Sequence, residues 1–123
     1  MNVKVLHPSD VVWASPHGTI DFEAGSSLLG TIATAAEPLK DYDVLIDLRR
    51  SSSELRPQDL WDLAASLVRY RGTFLHRTAI LCPPAHYEQA RSFAQMAASH
   101  GFARIRPFVG HEDAINWLMA GAD

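Results

Sequence analysis

Short apolar runs alternate with amphipathic stretches along this chain. Two runs rich in β-branched residues, at positions 3–6 and 11–14, flank a turn at residues 7–10 and predict an antiparallel hairpin. A first helix is predicted next, with Thr19 or Asp21 as its N-cap and Pro38 just after its end. The chain therefore begins with a β-β-α unit.

Further strands and helices alternate in the rest of the chain. The strands are the apolar runs at 44–48, 78–82 and 105–109, and the first of them is apolar at nearly every position, as a central strand covered on both faces would be. Pro107 cannot donate a hydrogen bond to a neighbouring strand, so the last run belongs at a sheet edge. The helices begin near Pro57, residue 85 and residue 112, and Gly72 and Gly101 mark the ends of the first two.

The element order ββαβαβαβα predicts one α/β domain over residues 1–123. Alternating strands and helices form a largely parallel sheet, because right-handed crossovers place the helices across its faces. We therefore expect a small mixed sheet of about five strands with about four helices.

Composition narrows the classes of function. The chain has 123 residues, of which 47% are hydrophobic and 20% charged, with a formal net charge of −3. Without a basic surplus we expect no nucleic-acid partner. The lone Cys82, together with the lack of a signal-like or membrane-spanning apolar run, leads us to expect a cytoplasmic protein with at most peripheral membrane contact.

The candidate functional residues lie at the end of the predicted central strand and directly after it. Asp47 ends this strand, where open α/β sheets usually bind their ligands, and Arg49 and Arg50 follow it. The more ordinary interpretation is an ion pair between Asp47 and one of these arginines that only supports the loop.

Three serines lie between this strand and the next helix. Ser51, Ser52 and Ser53 are candidate phosphorylation sites, because Arg49, Arg50 or Arg56 would hold the added charge. Loop serines more often satisfy local backbone groups, and that is the alternative here.

The next helix carries two adjoining apolar rows. One contains Leu60, Ala64 and Leu67, and the other contains Trp61, Ala65 and Val68. Leu60 and Trp61 are therefore candidates to wall an apolar pocket or a partner groove, although such rows most often serve core packing.

Cysteine and histidine offer little further chemistry. A phosphate-binding Cys-x5-Arg loop is excluded at Cys82, because Pro83 and Pro84 lack backbone donors and Glu88 stands at the arginine position. We expect a buried structural thiol. The histidines show no close metal-ligand spacing, so no metal is expected.

Four pieces of the chain carry a resemblance to a known family. They are the segment Gly18-Thr19-Ile20-Asp21-Phe22, the strand from Val44 to Arg49, the segment Arg77-Thr78-Ala79-Ile80-Leu81, and Arg106-Pro107-Phe108 with the closing helix Asp113-Ala114-Ile115-Asn116-Trp117-Leu118. In these pieces the chain resembles the SpoIIAA-like group of the STAS superfamily, also described as STAS/SEC14-like domains.

The resemblance implies a small sheet with helices packed against it and a non-enzymatic role without a cofactor. STAS domains of the anti-anti-sigma type bind a partner kinase and are switched by phosphorylation of a serine in an Asp-Ser-Ser/Thr-Gly sequence that opens the helix after the central strand. Here that helix opens with Glu54-Leu55-Arg56-Pro57-Gln58-Asp59, without serine or glycine. The resemblance therefore favours the members that lack the switch and are linked to hydrophobic ligands.

We accordingly expect a binding or regulatory module for a protein partner or a small hydrophobic ligand. The expected contact residues are Asp47, Arg49, Arg50, Ser51, Arg56, Leu60 and Trp61. Two alternatives stay open. One is a small enzyme that uses Asp47, Arg49 and a histidine, although no complete nucleophile, base and orienting group is visible. The other is a structural homodimer that buries an apolar helix face.

Overall fold

The computed structural model describes residues 2–7 and 10–120. This part of the chain forms the strands β1 (Asn2–Leu6), β2 (Val11–Ser15), β3 (Gly18–Ile20), β4 (Asp43–Asp47), β5 (Ser51–Ser53), β6 (Thr78–Leu81) and β7 (Ile105–Phe108). It also forms the helices α1 (Phe22–Ala36), α2 (Pro57–Ser66), α3 (Arg71–Phe74), α4 (Tyr87–Ser99) and α5 (His111–Met119), with 3₁₀ turns at Leu67–Tyr70 and Pro84–His86.

Within the described residues, a five-stranded sheet has the order β1-β2-β4-β6-β7. Strands β1 and β2 are antiparallel, and the other neighbouring pairs are parallel. The predicted hairpin, the central position of β4 and the edge position of the strand with Pro107 are all confirmed. Residues 8 and 9 of the predicted turn lie outside the described residues.

The two faces of the sheet are covered by different helices. Val44 and Ile46 of β4 pack in one core cluster with residues of α1, α2 and α4, whereas Leu45 packs in a second cluster with Ala114 and Leu118 of α5. Successive side chains of a strand point to opposite faces, which explains why nearly every position of β4 is apolar.

Local signals mark several helix ends as predicted. The Asp21 carboxylate accepts a hydrogen bond from the backbone N–H of Ala24 at 2.9 Å and so caps α1, and Pro57 is the first residue of α2. Gly101 follows α4 with a φ of 96°, a conformation that favours glycine.

The predicted end of α2 is wrong. The α-helical hydrogen bonding stops at Ser66, and the chain continues through the 3₁₀ turn and α3, so Gly72 lies inside α3. The outer of the two apolar rows is also exposed, with 48% of Trp61 and 54% of Val68 accessible, while Leu60, Ala64 and Leu67 are buried.

A second, two-stranded sheet departs from the predicted element order. Strands β3 and β5 pair in parallel, with Gly18, Thr19 and Ile20 opposite Ser51, Ser52 and Ser53. The sequence predicts no strand at either place and a polar bend at the serines. Because β3 follows β2 and β5 follows β4, this ribbon lies beyond the carboxyl ends of two neighbouring strands of the main sheet.

No helix in the described part of the chain is long and apolar enough to cross a membrane.

Candidate functional site

An apolar cavity of about 90 Å³ lies beneath the β3–β5 ribbon. Its inner wall consists of buried residues from the strands and from α1, α2 and α4, namely Ile20, Gly25, Leu28, Leu29, Ile46, Leu60, Leu63, Ile80, Cys82 and Ala90. A water-sized group needs roughly 10–15 Å³ of such space, so the cavity has room for several. Cavities with apolar walls can accept small apolar molecules.

The mouth of the cavity is formed by the lining residues that are partly or fully exposed. These are Leu48, Ser51, Ser52, Ser53, Leu55, His86, Gln89 and Phe93. Apart from the Cys82 thiol, every polar side chain of the lining belongs to this group. The cavity therefore has an apolar interior and a polar rim on one side.

Two small residues, Gly25 and Ala90, lie in the wall of this cavity. Ala90 lies on the α4 wall, where a larger side chain would enter the cavity. Gly25 lies on α1, and a Cβ atom there would come within 3.0 Å of Leu63 Cδ1 on α2. Ala90 therefore leaves space on the α4 side, and Gly25 lets Leu63 of α2 pack closely against α1.

A ring of three hydrogen bonds closes one side of the mouth. The Ser53 hydroxyl donates to Gln89 Oε1 at 2.6 Å, and Gln89 Nε2 donates to the backbone oxygen of Leu55 at 3.1 Å. The backbone N–H of Leu55 then donates to Ser53 Oγ at 3.2 Å. This ring ties the segment at β5 to helix α4.

Asp47 and Arg49 form a bidentate ion pair. Arg49 donates from Nε to Asp47 Oδ1 at 2.9 Å and from Nη2 to Oδ2 at 2.8 Å, and its backbone N–H adds a bond of 3.1 Å to Oδ1. Burial would raise the pKa of Asp47, but the hydrogen bonds and charge of Arg49 outweigh it and lower the pKa. The carboxylate is thus held ionised by a dedicated partner.

This ion pair does not line the cavity. Asp47 lies on the same strand face as Leu45, which packs against α5, whereas Ile46 faces the cavity. His111, at the start of α5, also contributes to lowering the pKa of Asp47. The predicted contact residues therefore divide between two sides of the sheet.

The three predicted serines do line the cavity mouth, each with a different partner. The Ser51 hydroxyl donates to the backbone oxygen of Leu48 at 2.9 Å, and Ser53 belongs to the ring. Ser52 is exposed, and its Oγ lies 3.2 Å from Thr19 Oγ1 on the paired strand. Phosphorylation of these serines stays a prediction, with Ser52 the most accessible of them.

The remaining predicted contact residues lie in different surroundings. Leu60 is part of the cavity wall, but Trp61 points outward, and its ring lies 5.4 Å from that of His100 between centroids. The backbone N–H of Arg56 donates to the Asp59 carboxylate at 2.9 Å, while Arg50 is exposed. A partner-binding role for Trp61 and the arginines stays a prediction.

Cys82 is a buried thiol, as predicted. Only 1% of the residue is exposed, burial raises its pKa, and its Sγ lies 3.6 Å from the backbone oxygen of Phe108. Among the described residues, no group of three or more His, Cys, Asp or Glu side chains is arranged to hold a metal ion.

Sequence reasoning missed the α4 side of the site. Gln89 and Phe93 lie one helical turn apart beside Ala90 and face the cavity. The sequence signal for this side of the site was Gln89, a polar residue that lies next to the apolar row of the helix and one turn before Phe93.

The fold has counterparts among solved structures. An uncharacterized protein from the DUF3478 family with a SpoIIAA-like fold, from Shewanella loihica PV-4, superposes with a TM-score of 0.61 at 16% identity, covering 95% of this chain and 92% of that one. The anti-sigma factor antagonist SpoIIAA in its unphosphorylated form gives a TM-score of 0.49 at 15% identity, covering 98% of this chain and 100% of that one. No family model and no curated protein matches the sequence. The similarity to the first of these structures shows that this chain has the SpoIIAA-like fold that its sequence predicted.

Proposed function

We propose that this protein is a non-enzymatic binding module of the STAS regulatory type that holds a small hydrophobic ligand in the cavity beneath the β3–β5 ribbon. The observation that carries the proposal is the apolar cavity of about 90 Å³ at the carboxyl ends of the parallel strands. Ligands of open α/β sheets bind in this position, and pockets for small molecules are mostly apolar with a few polar groups at one side.

The surroundings of the ionisable groups favour binding over chemistry. Asp47 and Arg49 satisfy each other on the opposite side of the sheet, so neither offers a free acid or base to a molecule in the cavity. The Cys82 thiol lines the cavity, but burial raises its pKa and so disfavours the nucleophilic thiolate.

Titration of the ¹⁵N-labelled protein with 1-octanol tests the proposal. We expect saturable changes in amide shifts around the cavity, with a Kd on the order of 10 µM to 1 mM, because a ligand of so few atoms can gain only moderate affinity. Changes spread over the whole surface without saturation, or no changes, would contradict the proposal.

Ala90→Leu provides the decisive variant, since the longer side chain fills space that the ligand would use. A matched control is Ala98→Leu, the same change at an exposed position of the same helix. We expect Ala90→Leu to lose octanol binding and Ala98→Leu to retain it, with native circular dichroism for both.

Gly25→Ala gives a second way to reduce the cavity. The new methyl group would lie 3.0 Å from Leu63 Cδ1, so Leu63, which also lines the cavity, would have to shift. We expect weaker octanol binding without loss of fold, because alanine also favours the helix by about 1 kcal/mol over glycine.

A further inference from the structure

We infer that the ligand is an uncharged amphiphile, with an apolar chain and a head that donates a hydrogen bond, such as a hydroxyl or a primary amide. This inference rests on the proposed function and adds the chemical class of the ligand. Its basis is the pattern of charge and of unused hydrogen-bonding capacity around the mouth of the cavity.

Within the part of the chain that the structure describes, the cavity lining contains no residue with a permanent charge that could pair with the head group of the ligand. Among the described residues that line the cavity, none is Lys, Arg, Asp or Glu. Of the three arginines of the predicted site, Arg49 pairs with Asp47 and Arg56 with Asp59, and the exposed Arg50 does not line the cavity. A carboxylate moved from water to this mouth would lose hydration without gaining a cation, which is costly.

Two of the three hydroxyl protons at the mouth are already in use, and the exposed Ser52 hydroxyl lies 3.2 Å from Thr19 Oγ1. Ser51 donates to the backbone oxygen of Leu48, and Ser53 donates to Gln89 Oε1. A hydroxyl has one proton to donate, so these two serines offer an incoming head only their acceptor lone pairs.

Gln89 and Leu55 leave further acceptors free. Gln89 Oε1 and the backbone oxygen of Leu55 each take one bond within the ring and have a second lone pair available. An alcohol or primary amide can donate to one of these oxygens and accept from the second N–H of Gln89 Nε2. A carboxylate only accepts hydrogen bonds, and its negative charge would be repelled by the partial negative charge of these oxygens.

His86 is the residue that could reverse this preference, because a protonated imidazole at the mouth would hold a carboxylate. The test therefore includes His86→Gln, which keeps a polar side chain and removes this charge.

Four probes with the same chain length distinguish the effect of the head group's charge from the effect of its capacity to donate a hydrogen bond. They are 1-octanol, octanamide, methyl octanoate and sodium octanoate, each titrated by calorimetry at one salt concentration. We expect octanol and octanamide to bind best, the ester, which only accepts, to bind less tightly, and octanoate to bind about tenfold or more weakly than octanol.

Gln89→Leu tests the assigned head site, with Gln95→Leu, at an exposed position of the same helix, as its matched control. We expect Gln89→Leu to bind both octanol and the ester less tightly, because both lose the second N–H of Nε2, and to show a smaller preference for octanol over the ester, while Gln95→Leu keeps that preference. An unchanged preference in Gln89→Leu would overturn the head site.

The remaining outcomes distinguish the inference from the proposed function. If octanoate binds as tightly as octanol, the inference of an uncharged head is wrong, but the proposed ligand-binding function stands. Loss of octanoate binding in His86→Gln would then identify His86 as the partner of the carboxylate. Failure of all four probes to bind would overturn both.

Discussion

Ser53 and Gln89 are 36 residues apart in sequence, yet the Ser53 hydroxyl donates a 2.6 Å hydrogen bond to Gln89 Oε1. The bond joins β5, a strand of only three residues, to the first turn of α4 at the mouth of the cavity. A strand so short gains little from its single partner β3. The contact with Gln89 therefore helps to hold the ribbon over the cavity.

Ser53→Ala should loosen this ribbon. The substitution removes the hydroxyl that serves both Gln89 and the backbone N–H of Leu55, so we expect a loss of about 1 kcal/mol of unfolding free energy. Amide hydrogen exchange should accelerate in β3 and β5 more than in β4. Urea unfolding and exchange measured by NMR check both effects.

Ser99→Ala is the matched control for this prediction. The Ser99 hydroxyl bonds the backbone oxygen of Met96 at 2.6 Å on an exposed part of α4, away from the cavity lining. We expect a change below about 0.5 kcal/mol and no effect on the ribbon. Equal effects of the two substitutions would refute a stabilising role for the ring.

Asp47→Asn should destabilise the protein in a pH-dependent manner. The pKa of Asp47 in the folded state lies below its ordinary value of 3.8, so the unfolded chain binds the proton more readily. The stabilisation is therefore complete well above pH 3.8 and is lost as the pH falls through the folded-state pKa. We expect a loss of about 1–2 kcal/mol at pH 7, because half of the Arg49 side chain is exposed and screened.

Urea unfolding of wild type and Asp47→Asn at a series of pH values checks this. The difference between them should be constant from pH 7 to about pH 5 and shrink toward pH 3. Asp62→Asn, at an exposed acid of α2 that accepts from Gln58 at 3.0 Å, should change stability by less than about 0.5 kcal/mol. A difference that grew on acidification would contradict the assigned direction of the pKa shift.

Gly101 and Gly72 should respond in opposite directions to the same substitution. Gly101 has a φ of 96°, which alanine adopts only with strain, so Gly101→Ala should cost about 1 kcal/mol. Gly72 lies in α3 without a positive φ, and a Cβ there meets no atom within 4 Å. Gly72→Ala should therefore be neutral or stabilising by up to about 1 kcal/mol, and thermal or urea unfolding distinguishes the two.

The parts of the fold that the sequence predicts well are those with strong local signals. The run from Val44 to Leu48 is apolar on both faces, and Pro107 forbids a central strand, so the middle and one edge of the sheet follow directly. The N-cap at Asp21 and the positive φ of Gly101 also depend only on neighbouring residues, so the sequence predicts these helix ends correctly.

The parts that escape prediction depend on long-range contacts. The serines of β5 have no apolar alternation, and they form a strand only because Gly18 to Ile20 lie alongside them. The two apolar rows of α2 are alike in sequence, and only the docking of the helix decides that Leu60 is buried and Trp61 exposed. The cavity is lined by residues of α1, α2 and α4 that are far apart in sequence, so no local pattern predicts it.

Cys82 provides a test of the cavity from its inner wall. The thiol is 1% exposed and its pKa is raised by burial, so a disulfide reagent should modify the folded protein on the order of a hundredfold or more slowly than the urea-unfolded chain. Because Cys82 lines the cavity, saturating 1-octanol should slow the reaction of the folded protein further. In Ala90→Leu, where the new side chain occupies the same space, octanol should have no such effect. Rapid modification of the native thiol without octanol would contradict its burial, and equal protection by octanol in both proteins would show that the alcohol does not bind in the cavity.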